Sequence, residues 1–140
     1  MIDLRLHHFG IVVADIAKAI VPYVTQCGYE LRTDVIHDPT QTAYVQFLRR
    51  PGETVLLELV APDGPSSKLT AALERGGGFH HVCHSTPDID DACRVLRSAG
   101  FFLIAAPVPA VAFDGRRIAW LLGRDRSLVE LVERGPEGSL

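Results

Sequence analysis

The strongest constraint on this chain is an internal repetition. The segment LHHFGIVVADI, Leu6 to Ile16, returns as FHHVCHSTPDI, Phe79 to Ile89. AYVQFL returns as RRIAWL, and TVLLELVA as SLVELVER. The offsets agree: His8 to His81 is 73, Asp15 to Asp88 is 73, Gly28 to Gly100 is 72 and Glu58 to Glu130 is 72. A period of about 72 residues holding one helix and four strands marks a duplicated supersecondary unit, not a solenoid.

Within the unit, Phe9, Ile11 and Val13 alternate with His8, Gly10 and Val12, which is strand periodicity. Asp15 stands where an N-cap belongs, followed by Ile16, Ala19, Ile20 and Tyr23 at helical spacing. Gly28 stops the helix. An interior proline costs about 3 kcal/mol, so a kink or restart is expected at Pro22. Strands follow near Tyr29–Ile36, Thr42–Leu48 and Thr54–Ala61. The stretch APDGPSSKL is a connector into a short helix that Gly76, Gly77 and Gly78 end. In the second copy Asp88 caps a helix with Ile89, Ala92, Cys93 and Leu96 on one face, and Gly100 stops it. The glycine-rich tail after Arg134 is expected to be mobile. The predicted fold is α+β: two tandem βαβββ modules, about 6–62 and 79–134, with a connector at 63–78, in one domain covering 1–140.

Composition narrows the function. The 140 residues are 47% hydrophobic, which excludes disorder, and suffice to bury about two thirds of the unfolded surface. A net charge of −3 gives no basic footprint for nucleic acid. No apolar run reaches the roughly 20 residues a membrane span needs, and Met-Ile-Asp-Leu-Arg does not open like a signal peptide. Cys27, Cys83 and Cys93 are odd in number and contain no C-x-x-C, so a reducing cytoplasm fits best.

Each repeat opens with a strand carrying His8 or His81 and closes with an apolar strand carrying Glu58 or Glu130. In VLLELV, Leu56, Glu58 and Val60 share a face; in SLVELVE, Leu128, Glu130 and Val132 do. A lone strand Glu is ordinarily solvent-facing and a lone His ordinarily structural. Two symmetric His–Glu pairs in apolar strands need another reason, because an unpaired buried charge is expensive. Coordination of one cation supplies it. Imidazole with carboxylate suits Mn, Fe, Co, Ni or Zn. Four protein ligands on an octahedral ion leave two adjacent places for a chelating substrate. His7, His80 and His84 have the opposite parity and are read as packing residues. His37 is read as solvated or at a cavity rim, and Cys83 as lining the cavity without being a nucleophile. In the strands before the two glutamates, Tyr44 and Gln46, and then Arg117 and Ala119, are read as facing the cleft. Arg117 is the favoured substrate-binding cation, with a solvated strand end as the alternative.

These residues resemble the vicinal oxygen chelate superfamily, the glyoxalase and bleomycin-resistance proteins, over about residues 6–133. HHFGIVVADIAKAI, ELVAPDGPSSKLTAALERGGGFHHVC, GRRIAWL and SLVELVE are most similar to the methylmalonyl-CoA epimerases. The resemblance implies a metal-centred cleft with His8, Glu58, His81 and Glu130 as ligands of one divalent ion (Co, Ni, Zn, Mn or Mg). The epimerases commonly have Gln at the second ligand position, whereas glyoxalase I has Glu, as here. They also place a proton-transferring carboxylate in the third strand of the first half, where Gln46 is the matching position. An amide cannot remove a proton. The glutathione-binding Arg of glyoxalase I has no counterpart, since Gly10 and Val12 fill the cavity-facing places of the first strand. What the resemblance implies is therefore a metal-dependent isomerase or lyase moving a proton next to a carbonyl, with Glu130 as base. Its substrate would be a small molecule of the CoA-thioester class, and its assembly a homodimer. The alternatives are a glyoxalase-I-like lyase, a non-catalytic small-molecule-binding protein of the bleomycin-resistance kind, and a metal-dependent dioxygenase or thiol transferase.

Overall fold

The computed structural model describes Met1–Leu140, and the chain divides into two compact units, His8–His80 and Met1–His7 with His81–Leu140. The first seven residues thus group with the second repeat and the connector with the first. The fold is α+β, and no helix is long and apolar enough to cross a membrane.

The unit His8–His80 holds most of β1 (Arg5–Val12), then α1 (Ile16–Thr25), β2 (Glu30–Leu31), β3 (Ile36–Asp38), β4 (Ala43–Arg49), β5 (Leu56–Pro62) and α2 (Thr70–Glu74). Its strands lie in the order β2-β4-β5-β1, with β3 also paired to β4. β1 and β5 are parallel; β4 and β5 are antiparallel. Asp15 caps α1, its carboxylate accepting from Lys18 N–H at 3.2 Å. The buried face of α1 starts at Ile16, which packs with Leu48, Leu57, Leu59 and Ala61. Every residue of β5 from Leu56 to Ala61 is buried, so this strand is covered on both faces. Gly77 is conformationally required: its φ is +68°, and a Cβ there would lie 2.8 Å from the Val12 carbonyl oxygen.

The other unit holds most of β6 (Gly78–Thr86), then α3 (Ile89–Ser98), β7 (Phe102–Pro109), a single 3-10 turn at Val111–Phe113, β8 (Arg117–Leu122) and β9 (Leu128–Glu133). The order is β6-β9-β8-β7. Asp88 caps α3 at 2.9 Å through Asp91 N–H. Ile89, Ala92 and Cys93 pack on Ala119, Leu121, Val129 and Leu131. Both units repeat one plan, a helix laid on one face of its sheet.

One expectation is corrected, that of a single strand after Gly28. The strand predicted over 29–36 is two short pieces, β2 and β3. The interruption is fastened to β4: Phe47 N–H donates to Thr33 Oγ1 at 3.1 Å, and the Gln46 amide donates to the Thr33 carbonyl at 2.9 Å. Pro22 does not restart α1, which runs through it. Proline deprives the carbonyl four residues back of its donor, but Lys18 and Pro22 are both exposed, so water can serve that oxygen. The tail after Arg134 forms no helix or strand, and the Arg116 guanidinium donates to the Leu140 carbonyl.

Candidate metal centre

Strand register brings His8 to Glu58. Gly10 lies opposite Glu58 across the parallel β1–β5 pair, and His8 is two residues back on the same face. Because Gly10 carries no side chain, imidazole and carboxylate can lean together, and His8 Nε2 stands 3.6 Å from Glu58 Oε1. The second repeat uses the same device. The small Cys83 lies opposite Glu130 across β6–β9, and His81 Nε2 stands 3.1 Å from Glu130 Oε2. Exposures are 0% and 5% for the first pair and 2% and 2% for the second. Each imidazole meets an aromatic ring edge to face: His8 meets Phe47 at 5.3 Å, and His81 meets Trp120 at 4.8 Å.

The donor chemistry fits a divalent cation. Adjacent ligands of an octahedral ion bound at about 2.1 Å sit about 3 Å apart, close to the separations within the two pairs. Burial excludes the ordinary reading of a strand glutamate as a solvated edge residue. A buried carboxylate needs compensating charge, and a divalent cation would supply it.

The substrate-facing residues require correction. Phe47 lies opposite Glu58, and Val45 opposite Val60, so these two β4 side chains share the face of the His8–Glu58 pair. Gln46 lies opposite Leu59 and Tyr44 opposite Ala61, residues that pack beneath α1. Gln46 and Tyr44 therefore belong to the helix side of the sheet. Tyr44 stacks on His37 at 4.8 Å, and His37 is ion-paired with Asp63 at 2.9 Å. In β8, Trp120 lies opposite Glu130 and Ile118 opposite Val132, whereas Ala119 and Leu121 pack beneath α3. Arg117 shares their parity. It is held by Asp90 at 2.9 Å and Glu133 at 2.7 Å, hydrogen bonds that push its pKa up. Arg117 is thus a clamp between β8, β9 and α3, not a cleft residue. The carboxylate that the resemblance places in the third strand has no counterpart on the site side of β4, where Val45 and Phe47 stand.

Sequence reasoning missed Phe47 and Trp120. The signal was available: Phe47 to Trp120 is 73, the offset of the two histidines, and both are aromatic. Cys83, read as lining a cavity, is fully buried, its thiol directed at the His84 carbonyl. Burial pulls the His84 pKa below its ordinary value. A groove of about 560 Å³ runs along α3 and β7, lined by Asp90, Arg94, Arg97 and Leu103. It opens on the helix side, away from His81 and Glu130, and has no part in the site.

Two βαβββ repeats, each pairing one buried imidazole with one buried carboxylate, define a duplicated fold with a candidate chelating pair in each copy. The family model of the Glyoxalase/Bleomycin resistance protein/Dioxygenase superfamily matches residues 7–120, and the chain belongs to that superfamily. It is 30% identical over 133 residues to an ethylmalonyl-CoA/methylmalonyl-CoA epimerase of Cereibacter sphaeroides, covering 92% of this chain and 97% of that one. Among solved structures it resembles methylmalonyl-CoA epimerase from Mycobacterium tuberculosis, with a TM-score of 0.83 and 32% identity over 94% of this chain and 89% of that one. A hypothetical protein of Bacillus halodurans gives a TM-score of 0.85 at 25% identity, covering 99% of each chain. Two of these three relatives carry the name of methylmalonyl-CoA epimerases.

Proposed function

We propose that the protein is a divalent-metal-dependent epimerase or isomerase that moves a proton next to the carbonyl of an acyl-CoA thioester, with a methylmalonyl-CoA-like substrate. The observation that supports this reading is the buried His–Glu pair of each repeat in a chain that shares 30% identity with an ethylmalonyl-CoA/methylmalonyl-CoA epimerase. His8, Glu58, His81 and Glu130 would hold one ion of Co, Ni, Zn, Mn or Mg; all four are buried and offer the nitrogen and oxygen donors such ions take. When bound, the cation withdraws electron density from a carbonyl oxygen and so acidifies the adjacent C–H. The remaining chemistry belongs to the chain. Glu130, almost wholly buried beside His81, is proposed as the group that accepts the α-proton. Trp120 and Ile118, on the same face, keep water from that carboxylate. A homodimer in a reducing cytoplasm completes the reading; all three cysteines are free thiols.

A glyoxalase-I-like lyase is the second reading. Val45 and Phe47 favour it, because β4 contributes no second proton acceptor on the site side. Incubation of methylmalonyl-CoA with the metal-loaded protein in deuterated water distinguishes the two. Catalysed exchange of the α-proton, followed by NMR, is the expected result. Absence of both exchange and binding at millimolar concentration would reject the acyl-CoA reading.

A further inference from the structure

Trp120 occupies a place that no assignment of ligand or base explains. It is the cross-strand neighbour of Glu130, and such neighbours stand about 5 Å apart at Cβ. Its indole meets the His81 ring at 4.8 Å and 82°. His81, Glu130 and Ile118 on this face are buried, but Trp120 is only half-buried. It is therefore the large side chain of that face which an incoming group can touch. Phe102, opposite Leu122, and Val108, opposite Ile118, extend the same apolar surface and are 69% and 37% exposed. The equivalent residue of the first repeat, Phe47, is 0% exposed. The two repeats thus match in their ligands and differ in the accessible ring beside them.

We propose that Trp120 is the specificity-determining wall of the site: its indole limits the bulk of the acyl group admitted beside His81 and Glu130. The proposal rests on the metal centre and acyl substrate argued above. Tryptophan suits the task because a wide ring with few rotatable bonds makes a firm boundary at low entropic cost. The ring sorts by bulk, so the part of the acyl group it selects is the alkyl substituent on the carbon next to the carbonyl.

Trp120 is the chain's single tryptophan, so its emission reports on the site without a label. Saturating cobalt(II), a paramagnetic quencher, should strongly reduce that emission, whereas zinc(II) should not. Unchanged emission with cobalt(II) overturns the proposal. The wall itself is measured with hydroxamates, which chelate through two oxygens and set their acyl group beside the ion. Dissociation constants of acetohydroxamate, isobutyrohydroxamate and pivalohydroxamate are read from the absorption of the cobalt(II)-loaded protein. Affinity should fall about 10-fold or more along this series in the wild type, and Trp120→Ala should abolish the fall. Trp120→Phe should lie between them and serves if the alanine variant does not fold. The same ranking in wild type and variants, or no ranking at all, refutes the wall. The thioester reading is decided separately. Methylmalonyl-CoA exchange with a flat hydroxamate series leaves the reading and removes the wall; a graded series without exchange does the reverse.

Discussion

Loss of the two imidazoles should abolish the protein's stabilisation by divalent ions. A ligand that binds only the folded state at 100 times its Kd stabilises that state by about 2.7 kcal/mol. Unfolding 140 residues at about 2.1 cal/mol/K per residue corresponds to about 0.3 kcal/mol/K, so the midpoint should rise by about 9 °C. Glu58 and Glu130, at 5% and 2% exposure, cannot replace the missing donors from the surface. In the double variant His8→Ala, His81→Ala the shift should fall to within about 1 °C, because half of the proposed donors are gone. The assay is a thermal melt of chelator-treated protein, repeated over a titration with zinc(II) or cobalt(II), with bound metal counted independently. About one ion per chain is expected for the wild type and none for the double variant. An unchanged upward shift in the double variant would refute the reasoning and move the cation elsewhere in the molecule.

The two glutamates should separate in function: Glu58→Gln retains metal and much activity, whereas Glu130→Gln retains some metal but loses turnover by about 100-fold, the usual contribution of a general base. Equal losses in the two variants would show that they act alike. Asp88→Ala removes the cap on α3 and should cost about 1 kcal/mol in a denaturant titration, with no change in metal stoichiometry. Arg117→Met should leave metal binding and ligand affinity intact while destabilising the fold, since its partners are Asp90 and Glu133; a selective loss of ligand affinity would restore it to the site. His84 has a depressed pKa in the folded state, so between that value and about 6.5 the unfolded chain binds more protons and stability must rise with pH. His84→Asn should therefore flatten the pH dependence of the melting midpoint below about pH 6.5, and an unaltered profile would assign that slope to other groups.

The sequence made the duplication, both helices, their aspartate caps and the four His and Glu positions legible, because each depends on local chemistry or a matching offset. The facing of the third strand of each repeat was not legible. In AYVQFL and RRIAWL both faces are largely apolar, and alternation divides the residues into two sets without saying which set meets the helix. Pairing across the sheet decides that: Phe47 opposite Glu58 and Trp120 opposite Glu130 reverse the expectation for Tyr44, Gln46 and Arg117. The break between β2 and β3 was hidden for a related reason. Its cause lies in bonds from Gln46 and Phe47 to Thr33, 13 and 14 residues away in sequence.

The contrast between Phe47 and Trp120 bears on how such a chain can diverge. Each buried histidine and glutamate is tied to its partner in both copies, since removing one leaves the other a costly unpaired group in the interior. The aromatic positions carry no such obligation, and only Trp120 of the two is partly exposed. Drift at Trp120 can thus alter what the protein accepts without disturbing what it chelates. A duplicated scaffold with one sealed copy and one open copy can explore new chemistry through single substitutions.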